Sequence, residues 1–227
     1  MVSFSYVYLG TCAVFLAVWL LLYVLRKDTR RQMLTMSLLV GIVSICTLYF
    51  WYTVDWWHPK TVTNTRIGIE DFLIGFAGGG VMSVCYEIFS GIRYRYSGST
   101  SYTVRALAML VFLACITSVF FYGFALSSFW STVLGLSITT VIMLLFRPDL
   151  LGNSILSGVL SLLLVLPAYG FILYASPTWV LETYDWRYLS GVLVVGIPIE
   201  ELVFWFLSGL FFGPFYEFWK SGTIRKE

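Results

Sequence analysis

Seven stretches of the chain are nearly continuous runs of apolar residues, separated by short polar segments. A helix needs about 20 predominantly apolar residues to cross a bilayer, and each stretch has roughly that length. The first has no Lys or Arg before it, unlike a secretory signal, so we interpret it as a retained helix. The pattern predicts an all-α integral membrane protein with seven transmembrane helices near 5–25, 33–52, 68–92, 103–122, 126–146, 153–174 and 197–219.

The composition supports this prediction. Hydrophobic residues make up 59% of the chain and charged residues 11%, whereas a typical soluble domain has about 25% charged residues. A net charge of +2 gives no indication of nucleic-acid binding. The four cysteines lie inside apolar runs without the paired spacing of a disulfide framework or zinc site, and His58 is the only histidine. We therefore predict no metal site.

The basic residues predict the orientation. Cytoplasmic segments of membrane proteins carry an excess of Lys and Arg. Eleven of the 14 basic residues fall on the side reached after the first, third, fifth and seventh runs, namely Arg26, Lys27, Arg30, Arg31, Arg93, Arg95, Arg105, Arg147, Lys220, Arg225 and Lys226. The other side has Lys60, Arg66 and Arg187. We therefore expect the N-terminus outside and the C-terminus inside.

The chain also contains an internal repeat. Residues 67–91 align without a gap over residues 197–221, at a constant offset of 130. The alignment pairs Glu70 with Glu200, Asp71 with Glu201, Phe76 with Phe206, Tyr86 with Tyr216 and Glu87 with Glu217. We predict a single membrane domain, 1–227, built as a parallel 3+1+3 repeat. Repeat A is 1–100, the linker helix is 101–124 and repeat B is 125–227.

Two pairs of acids stand where the third and seventh runs begin. A carboxylate within a membrane span costs about 2.5–3.5 kcal/mol on insertion scales, and such residues are functional candidates by default. We therefore take Glu70, Asp71, Glu200 and Glu201 as the candidate catalytic residues. Helix capping is the alternative explanation for one acid of each pair, because an acid in the first turn complements the helix dipole.

Helical spacing places the two acids of each pair on different faces. Asp71 and Glu201 are followed at that spacing by small residues, which are typical of closely packed transmembrane faces. These residues are Gly75, Gly78, Gly79, Ser208 and Gly209. We therefore expect Asp71 and Glu201 on packed faces and Glu70 and Glu200 towards a cavity, although spacing alone leaves both assignments open.

Other repeated residues have less costly explanations. Tyr86–Glu87 and Tyr216–Glu217 come roughly 24 Å further along their helices, where aromatic and charged residues commonly anchor a span at the interface.

Asp55 and Asp185, which are expected near the outer interface, are candidate proton relays. An ion pair of Arg187 with Asp185 or Glu182 is the more ordinary interpretation.

The segment PIEELVFWF at 198–206 resembles the membrane lycopene cyclase family, which includes archaeal fused enzymes, bacterial two-subunit cyclases and the cyclase half of fungal bifunctional proteins. The hallmark of that family is a Pro-x-Glu-Glu element before aromatic residues in each half. The matching residues of the second copy are Pro198, Glu200, Glu201, Phe204 and Phe206. The first copy has Gly68 in place of the proline and Asp71 in place of the second glutamate, and it keeps Phe72 and Phe76.

The resemblance implies proton-initiated closure of β- or ε-ionone rings at the linear ends of lycopene, an isomerase-type reaction of an intramolecular lyase without net redox change or cofactor. Glu200 or its counterpart Glu70 is expected to donate the proton to a terminal double bond. Glu201 and Asp71 are expected to orient it, stabilise the cation or accept the departing proton. The residues expected to bind the substrate are Phe72, Phe76, Phe204, Trp205, Phe206, Trp56 and Trp186.

The resemblance also implies a lipid-soluble polyene that enters from the bilayer of a prokaryotic plasma membrane. Other expected partners are membrane lipid, further copies of the chain or other carotenoid-pathway enzymes.

Three other functions are alternatives. A proton or small-solute transporter also uses matched intramembrane acids, but few polar side chains follow the acids along their helices. A retinal photoreceptor needs a lysine inside its last helix, whereas Lys220 lies at the end of that run. A related enzyme acting on another carotenoid stays open.

Overall fold

The structure, a computed structural model, describes residues 4–96 and 100–224 and is mainly helical. Within this part of the chain, seven helical spans are long and apolar enough to cross a membrane, as the sequence predicts. The helices are α1 (Phe4–Leu25), α2 (Arg30–Thr47), α3 (Ile69–Ser90), α4 (Thr100–Ser118), α5 (Ser128–Phe146), α6 (Leu151–Ala175), the short α7 (Trp179–Thr183), α8 (Ile199–Phe212) and α9 (Phe215–Lys220). Helices α8 and α9 together form the seventh span.

Several spans are irregular. Helix α2 continues through a π-helical turn at Leu48–Tyr52 to a last turn at Thr53–Asp55, and α4 continues through a π-helical turn at Val119–Gly123. The break between α8 and α9 contains Pro214, which has no N–H to continue the helical hydrogen bonds. Turns with π geometry are frequent at functional sites, and the one in α2 contributes three residues to the cavity described below.

Small residues let two pairs of helices approach closely. A Cβ placed on Gly75 of α3 would lie 2.5 Å from the Cβ of Ser44 in α2, and one on Gly209 of α8 would lie 2.8 Å from the Cα of Gly158 in α6. These separations are too short for any side chain at the two glycines. The small residues that follow Asp71 and Glu201 in the sequence therefore include true packing contacts.

Two antiparallel ribbons mark the ends of the helical bundle. The ribbons pair β1 (Tyr94–Arg95) with β4 (Thr223–Ile224), and β2 (Leu193–Val194) with β3 (Ile197–Pro198). Helices α3 and α8 begin after loops that are joined by a bridge between Trp57 and Tyr184, and the segments that follow α3 and α9 form the β1–β4 ribbon. We call the two ends of the bundle the β2–β3 end and the β1–β4 end.

The repeated Tyr-Glu motifs lie at the β1–β4 end and are buried. Glu87 is 5% exposed, Tyr216 4% and Glu217 0%. These three side chains are packed inside the protein, where side chains from several elements close over them, and their position near a membrane interface stays a prediction. Arg225 and Lys226, which entered the orientation argument, lie outside the described residues.

Candidate active site

A cavity of about 160 Å³ is lined by residues of helices α1 to α8. Asp71 and Glu201 both line it, and they are the only charged residues among the described residues around it. Eleven of the 30 lining residues are aromatic: Tyr8, Phe15, Trp51, Tyr52, Trp56, Trp57, Tyr169, Trp179, Phe204, Trp205 and Phe212. The cavity therefore combines two carboxyl groups with an apolar, aromatic wall.

Both carboxyl oxygens of Asp71 accept hydrogen bonds, and the Trp57 indole also lies beside this carboxyl group. The Tyr8 hydroxyl donates a short hydrogen bond to Oδ1, and the backbone N–H of Gly68 donates to Oδ2 at 2.8 Å. The second bond caps α3, so capping does account for one contact of this acid. Donors directed at both oxygens stabilise the ionised form of a carboxylate.

Glu201 occupies the equivalent position on α8 but has different partners. Indole Nε1 of Trp205 donates to Oε2 at 3.1 Å, and the hydroxyls of Tyr169 and Tyr184 lie close to the carboxyl group. Burial raises the pKa of Tyr184 well above its usual range, which keeps this phenol protonated. Glu201 has no counterpart of the Gly68 hydrogen bond, because Pro198 has no N–H.

Glu70 and Glu200 do not line the cavity. Oε1 of Glu70 accepts from the backbone N–H of Val62 at 2.6 Å, and Oε1 of Glu200 accepts from the backbone N–H of Ser190, also at 2.6 Å. Each glutamate thus binds the loop that precedes its own helix. This is the reverse of the expected arrangement. Asp71 and Glu201, which are followed by small residues at helical spacing, line the cavity, because glycines leave empty space as well as allowing helices to touch.

The aromatic residues expected to bind substrate divide into two groups. Trp56, Phe204 and Trp205 line the cavity. The other four do not. Phe72 packs on Gly41 and on Phe76, and Phe76 also packs on Trp19. Phe206 approaches Gly158, and the Trp186 indole donates to the backbone oxygen of Leu181. The sequence motif therefore identified the right region, but it did not tell which rings face the cavity.

Neither proposed relay residue lines the cavity. Asp55 is buried and accepts from the backbone N–H of Ser128 at 3.0 Å, which satisfies the start of α5. Asp185 forms an ion pair with Arg187 at 2.6 Å, as the ordinary interpretation predicts. The hydrogen bond from Arg187 lowers the pKa of Asp185.

The sequence analysis does not identify four aromatic cavity residues near the acids, Tyr8, Trp57, Tyr169 and Trp179. It also does not identify Tyr184, which lies beside the cavity and contacts Trp57 and Tyr169. They form a continuous aromatic wall, since Tyr8 contacts Trp57 at 5.7 Å between ring centroids and Trp57 contacts Tyr184 at 4.9 Å. The hydroxyls of Tyr169 and Tyr184 are hydrogen-bonded to each other. The only sequence signal for these tyrosines is a phenol inside an otherwise apolar run. The chain has 15 tyrosines, so this signal does not distinguish the ones near the acids.

Comparison with protein families identifies this arrangement. The model of the family described as lycopene cyclase matches residues 5–89 and 127–219. The chain belongs to the lycopene cyclase family. No curated protein and no solved structure matched the chain. Both matched stretches together contain the four motif acids and every cavity-lining residue except Leu113 and Thr117.

Membership in the lycopene cyclase family supports an enzyme with a carotenoid cyclase function. Together with the seven apolar helices, it indicates a multi-pass membrane protein. Among the described residues, no group of three or more His, Cys, Asp or Glu side chains is placed to hold a metal ion.

Proposed function

We propose that this member of the family is a lycopene cyclase that closes an ionone ring at a linear end of lycopene without net redox change. One observation carries the proposal: Asp71 and Glu201, from matching positions of the sequence repeat, line a single aromatic cavity. An acid, a base and a cation-stabilising wall are what an acid-initiated cyclisation needs, and all three are in contact with the same space.

Glu201 is the proton donor in this proposal. Glu201 and Asp71 are both buried, at 8% and 1% exposed, and burial favours the neutral form of each carboxyl group. Glu201 lacks the backbone N–H that stabilises Asp71 as an anion, so Glu201 is the one proposed to keep its proton. A protonated Glu201 can therefore deliver its proton to the terminal double bond of a polyene.

Asp71 is the proton acceptor. Hydrogen bonds from the Tyr8 hydroxyl and the Gly68 N–H favour an ionised carboxylate, which attracts the carbocation and can remove a proton. The faces of the surrounding aromatic rings also stabilise a cation. Rings from both halves of the chain supply these faces, for example Trp56 and Phe204, whose centroids are 5.4 Å apart.

The reaction balances without a co-reactant. Addition of the Glu201 proton to the terminal C=C bond creates a tertiary carbocation. A neighbouring C=C bond of the same chain attacks this cation and closes the ring by forming a C–C bond. Asp71 removes a proton from a carbon next to the new cation, and a ring C=C bond forms. When a proton then passes from Asp71 back to Glu201, both acids regain their starting protonation states.

The cavity size suggests that one end reacts at a time. An engineered apolar cavity of about 150 Å³ binds benzene, whereas sites for drug-sized ligands span about 300–1,000 Å³. A space of about 160 Å³ is therefore suited to one ring-forming end group. The remaining polyene must lie between helices or in lipid, consistent with entry from the bilayer.

Pigment analysis tests the proposal. The full chain is produced in cells that accumulate lycopene, and the carotenoids are separated and identified. We expect the loss of lycopene and the appearance of products with one or two ionone rings, and the position of the ring double bond tells whether they are β or ε. Unchanged lycopene, at a verified level of folded protein, would contradict the proposal.

A further inference from the structure

Two glutamates outside the cavity meet at the β1–β4 end of the bundle. Glu87 of α3 and Glu217 of α9 occupy matching positions of the sequence repeat, and both are buried. Glu87 comes 16 residues after Asp71 on the same helix, roughly 24 Å at a rise of about 1.5 Å per residue. Neither glutamate lines the cavity, so the proposed cyclisation makes no use of them.

One hydroxyl group connects these residues to each other and to α2. The Tyr96 hydroxyl oxygen lies 2.8 Å from Oε1 of Gln32, 2.9 Å from Oε1 of Glu87 and 3.3 Å from Oε1 of Glu217. The Gln32 amide nitrogen donates to the Ser83 carbonyl oxygen and to Oε1 of Glu217. These two bonds fix the amide, so its oxygen is the atom that faces Tyr96.

If both glutamates are ionised, there are too few donor hydrogens for the three contacts at the Tyr96 hydroxyl to be hydrogen bonds. A phenol donates one hydrogen, whereas an amide oxygen and a carboxylate donate none. Burial and the neighbouring Glu217 raise the pKa of Tyr96, so its single hydrogen stays in place. With two carboxylates, only one of the three contacts at the hydroxyl oxygen is a hydrogen bond. A protonated carboxyl group supplies a second donor to that oxygen.

A second observation indicates that one of the two carboxyl groups carries a proton. Oε2 of Glu217 is buried and has no hydrogen-bond partner among the described residues, and Glu217 is 0% exposed. Two unpaired like charges at such a site carry a large desolvation cost. Protonation of one carboxyl removes one charge and makes one oxygen a donor.

The surrounding charged groups do not neutralise the pair. The groups that face it are Arg26, Asp28, Tyr94, Arg147 and Tyr216. Arg26 is bound to Asp28 at 3.0 Å, and Arg147 is bound to Asp149 at 2.6 Å. Arg147 also donates to the backbone oxygen of Glu217 rather than to its carboxylate. No described basic residue forms an ion pair with Glu87 or Glu217.

We propose that Glu87, Glu217 and Tyr96 form a second buried site that binds one proton and thereby joins α2, α3, α9 and the β1–β4 ribbon. Binding converts one carboxylate into a carboxylic acid, and the other stays ionised. Release of the proton leaves two carboxylates around one hydroxyl, which weakens the junction of these four elements. This site is independent of the proposed cyclase reaction.

Infrared spectroscopy of the purified full chain tests the site directly. The wild type at neutral pH should show the carbonyl stretch of a protonated carboxylic acid that is lost in Glu217→Gln and equally lost in Glu87→Gln. Either glutamine supplies the missing donor as a neutral amide, so the remaining glutamate ionises. The matched control is Glu182→Gln, an exposed glutamate, which should leave this band unchanged. Glu201, which the proposed cyclase reaction also keeps protonated, contributes its own band to every spectrum, so each variant is compared with the wild type by difference. Wild-type-minus-variant spectra that lack a carboxylic acid band for both variants overturn the proposal.

Thermal unfolding at different pH values gives a second test. A proton held by the folded chain but released by the unfolded chain makes stability fall as pH rises. The wild-type Tm should therefore fall between about pH 5 and about pH 9, above the ordinary range of a carboxyl group, and the fall should be smaller in Glu217→Gln. Equal slopes in the two proteins contradict the proposal, since a merely structural hydrogen bond shifts Tm by the same amount at every pH. If Glu217→Gln does not fold, Glu87→Gln is compared in the same way.

Discussion

At the scale of single residues, the two halves differ most where Gly68 precedes α3 and Pro198 precedes α8. The Gly68 N–H binds Asp71, whereas Pro198 has no hydrogen to donate to Glu201. This one difference gives Asp71 a backbone N–H donor that Glu201 lacks. It is the physical basis for proposing Asp71 as the base and Glu201 as the acid.

The proposed roles predict different effects for the two acids of the second pair. Glu201→Gln removes the proton donor and should lower cyclisation by about 100-fold or more, because general acid catalysis typically contributes about 10²–10⁴-fold. Glu200→Gln keeps an acceptor for the Ser190 N–H and should keep activity within about tenfold, the loss of a charge-assisted bond being about 1–2 kcal/mol. Pigment yields at equal protein level measure both effects. The reverse order of severity would return the donor role to Glu200.

Tyr8 offers a prediction that sequence reasoning did not reach. Tyr8→Phe keeps the ring that contacts Trp57 and Trp179 but removes the donor to Asp71. We expect activity to fall by roughly 10- to 100-fold, with protein level unchanged, since one hydrogen bond to a charged group contributes about 1.5–3 kcal/mol. Trp179→Phe is the matched aromatic control, because Trp179 lines the cavity and contacts the Tyr8 ring, and its indole nitrogen has no hydrogen-bond partner among the described residues. Full activity of Tyr8→Phe would show that Asp71 needs no phenol.

At the scale of helices, glycine positions decide how closely the elements pack. Gly75 brings α3 onto α2, and Gly209 brings α8 onto α6. Gly75 also lines the cavity. The absence of a side chain therefore contributes both to helix contact and to the space that holds a substrate.

Two glycine substitutions separate packing from helix propensity. A Cβ on Gly209 would lie 2.6 Å from the backbone oxygen of Ser157, so Gly209→Ala should destabilise the fold by about 1–3 kcal/mol through overpacking. Gly170 of α6 has no neighbouring atom within 4 Å of such a Cβ, so Gly170→Ala should be neutral or slightly stabilising, as expected for alanine in a helix. Thermal unfolding in detergent compares the two. Equal effects would mean that the α6–α8 contact is not tight.

At the scale of the whole molecule, buried acids mark both ends of the bundle. One set lines or borders the cavity near the β2–β3 end, and the Glu87–Glu217 pair lies at the β1–β4 end. The basic residues predict that the β1–β4 end faces the cytoplasm.

Cysteine labelling checks this orientation in cells. In a chain with Cys46 and Cys115 replaced by Ala, Glu182→Cys should react with a membrane-impermeant thiol reagent in intact cells. Lys27→Cys should react only after the membrane is permeabilised. Both positions are exposed, and the remaining Cys12 and Cys85 are buried. The opposite labelling pattern would invert the predicted topology.

The spans were readable from the sequence because membrane insertion depends on local hydrophobicity. The predicted run 197–219 corresponds to the described span Ile199–Lys220, and the run 103–122 to Tyr102–Gly123. The four motif acids were also conspicuous, since each carboxyl group stands out against an apolar run. The lycopene cyclase family was recognised from the same residues.

The faces of those acids were decided only by the tertiary structure. Helical spacing places Glu70 and Asp71 about 100° apart. It does not reveal that the loop at Val62 folds back to bind Glu70, or that Tyr8 binds Asp71. The burial of Glu87 beside Glu217 was equally unreadable, because it depends on contacts between residues 130 positions apart. Hydrophobicity is a local property of the chain, whereas the partner of a buried polar group is determined by the packing of distant segments.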